Sequence, residues 1–186
     1  FYLNKEYDKA VPFFKKALSV GGEVPEVFEY IGLSLHRGHL YREALPYLKR
    51  ALDVNPENRE LLFSLAEAMN ASSMSDRALK IFVHLRPDPE YGARSCLFAG
   101  SIHAFQNQDD KAIQDYEIGL KHEEAALDVL TQIRYNLAQI YLHGGDMGRA
   151  LELLHTIQAT SPGYKDVQIL IGRYQELNQN NTLRTY

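Results

Sequence analysis

Along this chain apolar residues fall at helical spacing in short runs, and the runs themselves recur. Five alanines, Ala10, Ala44, Ala78, Ala112 and Ala150, stand 34, 34, 34 and 38 residues apart. Placing each alanine at position 20 of a repeat aligns the rest. Position 8 is then always small: Gly32, Ala66, Gly100, Ala138 and Gly172. Position 24 is always large (Phe14, Leu48, Phe82, Tyr116, Leu154), and position 7 is Ile31, Leu65, Ala99, Leu137 and Ile171. Each unit holds two apolar runs parted by a short polar stretch, such as Arg37-Gly38-His39 or His143-Gly144-Gly145-Asp146. A period in this range predicts stacked helical units that share buried surface with their neighbours, and excludes one closed globule.

The small positions carry the packing logic. Two antiparallel helices approach closely only where side chains are small, so position 8 and the alanine at position 20 are predicted to make the contact within a pair. Large residues at 7, 11 and 24 then fill the space between one pair and the next, each contributing roughly 1.5–3 kcal/mol when fully buried. Asn55-Pro56, Asp88-Pro89 and Ser161-Pro162 predict N-caps followed by proline in a first helical turn. Pro12 and Pro46, both at position 22, fall early in second helices, where a lost hydrogen bond costs least. Gly21-Gly22 and Gly144-Gly145 read as turns between helices. Four extra residues around Glu123-Glu124-Ala125-Ala126 amount to about one helical turn and predict a longer first helix in the unit that follows. Tyr164 to Asn178 reads as a last, unpaired helix with Arg173 and Glu176 on a polar face, and Asn178 to Thr182 as a linker or fraying end.

These residues resemble the tetratricopeptide repeat, whose signature sets a large residue, Leu-Gly, Tyr, Ala, an aromatic and Pro at fixed offsets. The second unit matches most fully, with Phe28, Ile31-Gly32, Tyr41, Ala44, Leu48, Ala51 and Pro56. The resemblance covers nearly the whole chain. It implies an all-α fold, a right-handed superhelical solenoid of antiparallel helix pairs with a concave inner surface. On this reading residues 1–186 form a single array: a partial first repeat over 1–22, repeats over 23–56, 57–90, 91–128 and 129–162, and a terminal capping helix over 163–180. Phe1 corresponds to position 11, so the first unit lacks most of its first helix, and further repeats are expected upstream in a longer chain. The fourth repeat departs most, with Cys96, His103 and Gly119 where large, aromatic and alanine residues are usual.

The resemblance also implies a binding surface, because the family's groove is lined by first-helix positions 2, 5, 9, 12 and 13. Position 5 supplies Glu29, Phe63, Leu97, Tyr135 and Ile169, a nearly continuous apolar ladder; position 9 supplies Leu33, Glu67, Ser101, Gln139 and Arg173. The expected peptide-binding residues are therefore Glu29, Leu33, Phe63, Glu67, Leu97, Ser101, Tyr135 and Gln139, facing an extended peptide or an amphipathic helix. An apolar residue at position 5 also serves packing between adjacent helices, and the two roles are compatible. Glu26 and Glu60 sit in first helical turns, where the dipole favours a carboxylate, leaving Glu29 and Glu67 as the hint of a basic partner segment. Lys15, Lys16, Lys49 and Arg50 end second helices and read as a solvated outer face. No three-repeat window presents the Lys, Asn and Arg set with which a subclass of the family clamps a terminal carboxylate.

Composition narrows the alternatives. The net charge is -4, and splitting the chain at residue 93 leaves neither half strongly charged, so nucleic acid has no electrostatic footprint to bind. No apolar run approaches the roughly 18–20 residues of a membrane span. Cys96 is the sole cysteine, which rules out an intrachain disulfide and a cysteine-based zinc site. The seven histidines make no His-x-x-x-His pair, and the paired glycines lack the strand-to-helix setting of a phosphate loop. No catalytic residue, metal or cofactor is expected.

The first functional reading is therefore a non-catalytic scaffold whose groove holds a protein or peptide partner. A structural section of a longer solenoid within a large complex, such as a bacterial envelope, secretion or motility machine, is the second. A non-catalytic module attached to an enzyme outside this segment is the third. The atypical fourth repeat and the four-residue insertion predict that the junction before the fifth is the softest in the stack. Hydrogen exchange should show faster amide exchange across residues 94–130 than in the flanking repeats; uniform protection there would contradict it.

Overall fold

The computed structural model describes residues 7–21 and 25–183; Phe1 and Gly22, which enter the reading of the first repeat and its turn, lie outside them. Among the described residues every regular element is an α-helix. The chain forms two compact units, residues 1–95 and 96–186. The first holds α1 (Tyr7–Gly21), α2 (Pro25–Arg37), α3 (Tyr41–Val54), α4 (Arg59–Ala71) and α5 (Ser75–Leu85). Helix α6 (Gly92–Phe105) spans the boundary, and α7 (Asp109–Gly119), α8 (Leu127–His143), α9 (Met147–Thr160) and α10 (Val167–Leu183) belong to the second.

The helix pairs α2/α3, α4/α5, α6/α7 and α8/α9 are each joined by three residues. At every one of these turns the residue at position 15 takes a left-handed backbone: His39 (φ 59°), Ser73 (φ 66°), Asn107 (φ 57°) and Gly145 (φ 80°). The following N–H then reaches back five residues, Leu40 to the Leu35 carbonyl at 2.8 Å, Met74 to Met69 at 2.9 Å, Gln108 to His103 at 2.9 Å and Asp146 to Tyr141 at 2.8 Å. This closes carbonyls that the end of a helix otherwise leaves open. Glycine holds the position in only one of the four turns; in the first, the left-handed residue is His39 and not the neighbouring Gly38.

Two of the three sequence-predicted N-caps are instead C-caps. The N–H groups of Asn55 and Ser161 donate to Ala51 and Ile157 and so close α3 and α9. The prolines after them begin a connecting turn, which suits their fixed φ as well as a first helical turn does. The side-chain cap of α4 is Asn58, whose Oδ1 accepts the Leu61 N–H at 3.1 Å. Asp88 does cap, accepting the Glu90 and Tyr91 N–H groups at 2.9 and 2.8 Å in the turn that leads into α6. Helix α8, at 17 residues against 13 in α4, extends by about one turn at its N-terminal end, and Glu123 to Ala126 form the loop before it. The last helix begins at Val167, not Tyr164, because Lys165 turns left-handed (φ 46°), and it continues through Asn178–Thr182 to Leu183.

At Gly32 and Gly100 the nearest atoms belong to the large residue at position 24, not to the alanine at position 20. A Cβ built on Gly32 would lie 2.9 Å from Leu48 Cδ2 and 3.1 Å from the Leu48 backbone nitrogen, and one on Gly100 would lie 2.7 and 2.8 Å from Cδ1 and Cζ of Tyr116. The large residue at position 24 thus seats on position 8 inside its own pair, and does not only fill space between pairs. Leu48, Phe82, Tyr116 and Leu154 are all at 1% exposure or less, and Ala44, Ala78, Ala112 and Ala150 are fully buried. In the second unit Tyr116, Leu137, Ala138, Leu154, Val167 and Ile171 belong to one core cluster. Gly172 is the exception: no described atom lies within 4 Å of its Cβ position.

The fourth repeat keeps this scheme with polar atoms. His103, at position 11, donates its Nδ1–H to Oδ2 of Asp115, at position 23, across 2.7 Å, and both side chains are buried.

Ser73→Gly removes a Cβ from a left-handed residue and is expected to stabilise the protein by about 1 kcal/mol in urea unfolding. Gly100→Ala is expected to cost about 1–3 kcal/mol through the forced shift of Tyr116, whereas Gly172→Ala should gain up to about 1 kcal/mol from helix propensity alone. Asp115→Ala leaves the buried His103 donor unsatisfied and should cost about 1–3 kcal/mol in the same measurement.

Candidate functional site

In the first unit, the four expected groove residues divide by burial. Leu33 is 3% exposed and Phe63 2%, so both belong to the core, while Glu29 and Glu67 are partly exposed. Phe63 packs edge-on to Phe82 (5.9 Å between ring centroids), lies against Tyr91 (5.3 Å) and is covered by the Arg94 guanidinium 4.3 Å from its centroid. An aromatic at position 5 is here a packing residue.

The carboxylates of this unit are largely answered from within. Glu67 accepts a hydrogen bond from His36 Nε2 at 3.2 Å and faces Arg94 at 3.6 Å. Burial works to raise its pKa, but the His36 hydrogen bond and the charges of His36 and Arg94 outweigh it and hold the carboxyl below its ordinary value. Glu60 pairs with Arg37 at 2.5 Å. Glu29 differs: burial, then the neighbouring Glu60 and Glu26 carboxylates, push its pKa up. Glu67, which the sequence leaves as a hint of a basic partner, is accounted for by His36 and Arg94.

The second unit presents a more open surface. Leu97 is half-buried against the core, and Ser101, Tyr135 and Gln139 stand along α6 and α8. A polar strip joins them. Ser101 Oγ donates to the Leu97 carbonyl (2.8 Å) and lies 3.2 Å from the Tyr116 hydroxyl. Asn136 Nδ2 donates to that hydroxyl (3.3 Å), and its Oδ1 accepts from Gln132 at 2.6 Å. Gln132 Oε1 in turn accepts from Tyr164 (2.6 Å) and Lys165 (3.1 Å). Beside the strip, Tyr135 donates to Asp166 at 2.7 Å with Lys165 4.0 Å above its ring. Burial, then the Asp166 contact, push the Tyr135 hydroxyl up to about 12, so it stays a donor across the physiological range.

At one end of this strip lies a cleft of about 490 Å³, lined among others by Ser101, Phe105, Tyr116, Asn136, Gln139 and His143. Phe105 is 90% exposed at the last residue of α6. The structure therefore brings Ser101 and Gln139 together and adds Phe105 and Asn136, which the sequence reading leaves out of the site. Phe105 stands at position 13, one of the groove-lining positions the resemblance names, so the register pointed to it. Asn136 is at position 6 and becomes part of the surface only through its bonds to Tyr116 and Ser101.

Among the described residues no cluster of three or more His, Cys, Asp and Glu is placed to hold a metal, and no helix is long and apolar enough to cross a membrane. Cys96 is fully buried.

No curated protein matches the sequence. Solved structures do match it in fold. MamA superposes with a TM-score of 0.73 at 17% identity, over 85% of this chain and 90% of its own. TTC0263, a thermophilic tetratricopeptide-repeat protein of Thermus thermophilus, gives 0.60 at 23% identity over 92% of each chain. YrrB, described as a tetratricopeptide-repeat protein with an unusual peptide-binding site, gives 0.69 at 19% identity over 92% and 84%. Residues 31–90 match the tetratricopeptide-repeat sequence profile. Residues 31–90 are thus similar to tetratricopeptide repeats, and the described helices share the fold of these solved structures.

Proposed function

We propose that this chain is a non-catalytic scaffold that holds an extended peptide or a helix of a partner protein on its first-helix groove positions. The open cleft of the second unit, with exposed Phe105 beside a hydrogen-bonded floor of Ser101, Tyr116 and Asn136, carries the reading. An exposed aromatic next to fixed polar groups suits a segment that offers one apolar side chain and backbone amides, since aromatic anchors dominate such interfaces. Leu97, Ser101, Tyr135 and Gln139 belong to this surface. Of the first-unit residues, Glu29 and Glu67 are accessible to a partner, while Leu33 and Phe63 act beneath it. The peptide-binding site ascribed to the similarly folded YrrB supports the same use of the fold. A structural role within a larger assembly is the second reading, favoured by Ile169, 72% exposed on α10.

A displayed library of random peptides selects ligands without knowledge of the partner. Selected peptides are expected to bind Phe105→Ala/Gln139→Ala at least about tenfold more weakly, as loss of one anchor implies. Lys49→Glu/Lys80→Glu, on exposed second-helix surface, should leave affinity unchanged. Ligands that lose affinity only with the second variant would place binding elsewhere.

A further inference from the structure

At two places in this chain an arginine lies on an aromatic ring beside a carboxylate. In the first unit Arg94 sits 4.3 Å from the centroid of the Phe63 ring and 3.6 Å from Glu67, four residues after that ring in sequence. In the second unit Arg149 sits 4.2 Å from the centroid of Tyr141 and donates to Asp146 at 2.6 Å, five residues after the ring. The guanidinium gains from the π face while its N–H groups meet the carboxylate, a pair of contacts that the point charge of lysine makes less well. The cleft of the second unit holds the ring and the carboxylate of such a set. Phe105 ends α6 and Asp109, four residues later, begins α7, and both line the cleft. Phe105 is 90% exposed and Asp109 is exposed as well. Among the described residues no arginine or lysine covers this ring or pairs with this carboxylate; Lys111, two residues on from Asp109, donates instead to Gln108 at 2.9 Å. The dipole of α7 favours a carboxylate at Asp109 by itself, but it gives no reason for the uncovered ring beside it.

We propose that the partner segment held in this cleft carries an arginine whose guanidinium lies on Phe105 and pairs with Asp109, completing the set that Arg94 and Arg149 complete elsewhere in the chain. The inference rests on the groove reading and adds to it the chemistry of the anchor. Charge complementarity selects the occupant: Asp109 is the one carboxylate among the lining residues, and no lysine or arginine stands there to compete. The other ionisable groups of the lining are His143 and Tyr116. Burial pushes the Tyr116 pKa up, so its hydroxyl keeps its proton and the floor stays uncharged. The methylene stem of the arginine supplies the apolar contact with Phe105. Ser101, Asn136 and Gln139 then face the backbone amides on either side of it.

Peptides selected from the displayed random library are sorted first by their dependence on Phe105→Ala/Gln139→Ala and then sequenced. Those that depend on the cleft are expected to share an arginine. Changing that arginine to alanine should weaken binding about tenfold, and changing it to lysine should weaken it by a smaller factor. Asp109→Asn keeps the shape of the side chain and removes its charge. It should weaken the arginine peptides about tenfold and leave their alanine forms unchanged, so that the two losses do not add. Helical circular dichroism of each variant checks that the fold is kept. Cleft-dependent peptides with no shared arginine, or arginine peptides indifferent to Asp109→Asn, overturn this inference and leave the groove reading standing. Peptides indifferent to Phe105→Ala/Gln139→Ala, or a selection that yields none, overturn the groove reading and the arginine with it.

Discussion

The seating of a large side chain at position 24 on a small residue at position 8 is the contact from which the rest of the structure follows. Where position 8 is glycine the two helices come so close that a single added methyl would collide with Leu48 or Tyr116. That proximity fixes the rotation of each helix about its axis, and so decides which faces remain for neighbouring pairs and which for solvent. A core packed at this density tolerates little change in volume, so the register is specified by shape as well as by hydrophobicity.

The turns obey the same constraint from the backbone side. For position 24 to reach position 8, the chain must reverse in three residues, and the left-handed residue at position 15 accomplishes this in all four pairs. His39, Ser73 and Asn107 accept that conformation because the packing of both helices and the reaching hydrogen bond from the next residue over-determine it. The buried His103–Asp115 pair shows a similar exchange, with a directional hydrogen bond holding positions that other repeats fill with apolar side chains.

Packing also decides which of the groove positions stay accessible. In the first unit His36 and Arg94 contact Glu67 while Arg94 roofs Phe63, so Phe63 is consumed by the fold and Glu67 has partners within the chain. In the second unit the shorter side chains of Ser101 and Asn136 build a polar floor and leave Phe105 uncovered. The difference arises from which side chains are long enough to reach across to the neighbouring helix.

The sequence by itself determined the repeat period, the helix pairing and the alanines that are buried, because periodicity and residue size act locally along each helix. It named positions 2, 5, 9, 12 and 13 as groove candidates, and four of the eight residues taken from positions 5 and 9 stand on the second unit's accessible face or beside it. Only the tertiary structure decided that Leu33 and Phe63 are core, that Asn55 and Ser161 end helices instead of starting them, and that position 24 serves position 8. Each of these depends on what a residue meets from another helix, such as Arg94 arriving over Phe63. A one-dimensional pattern carries the period of such encounters but not the reach of the side chains that make them.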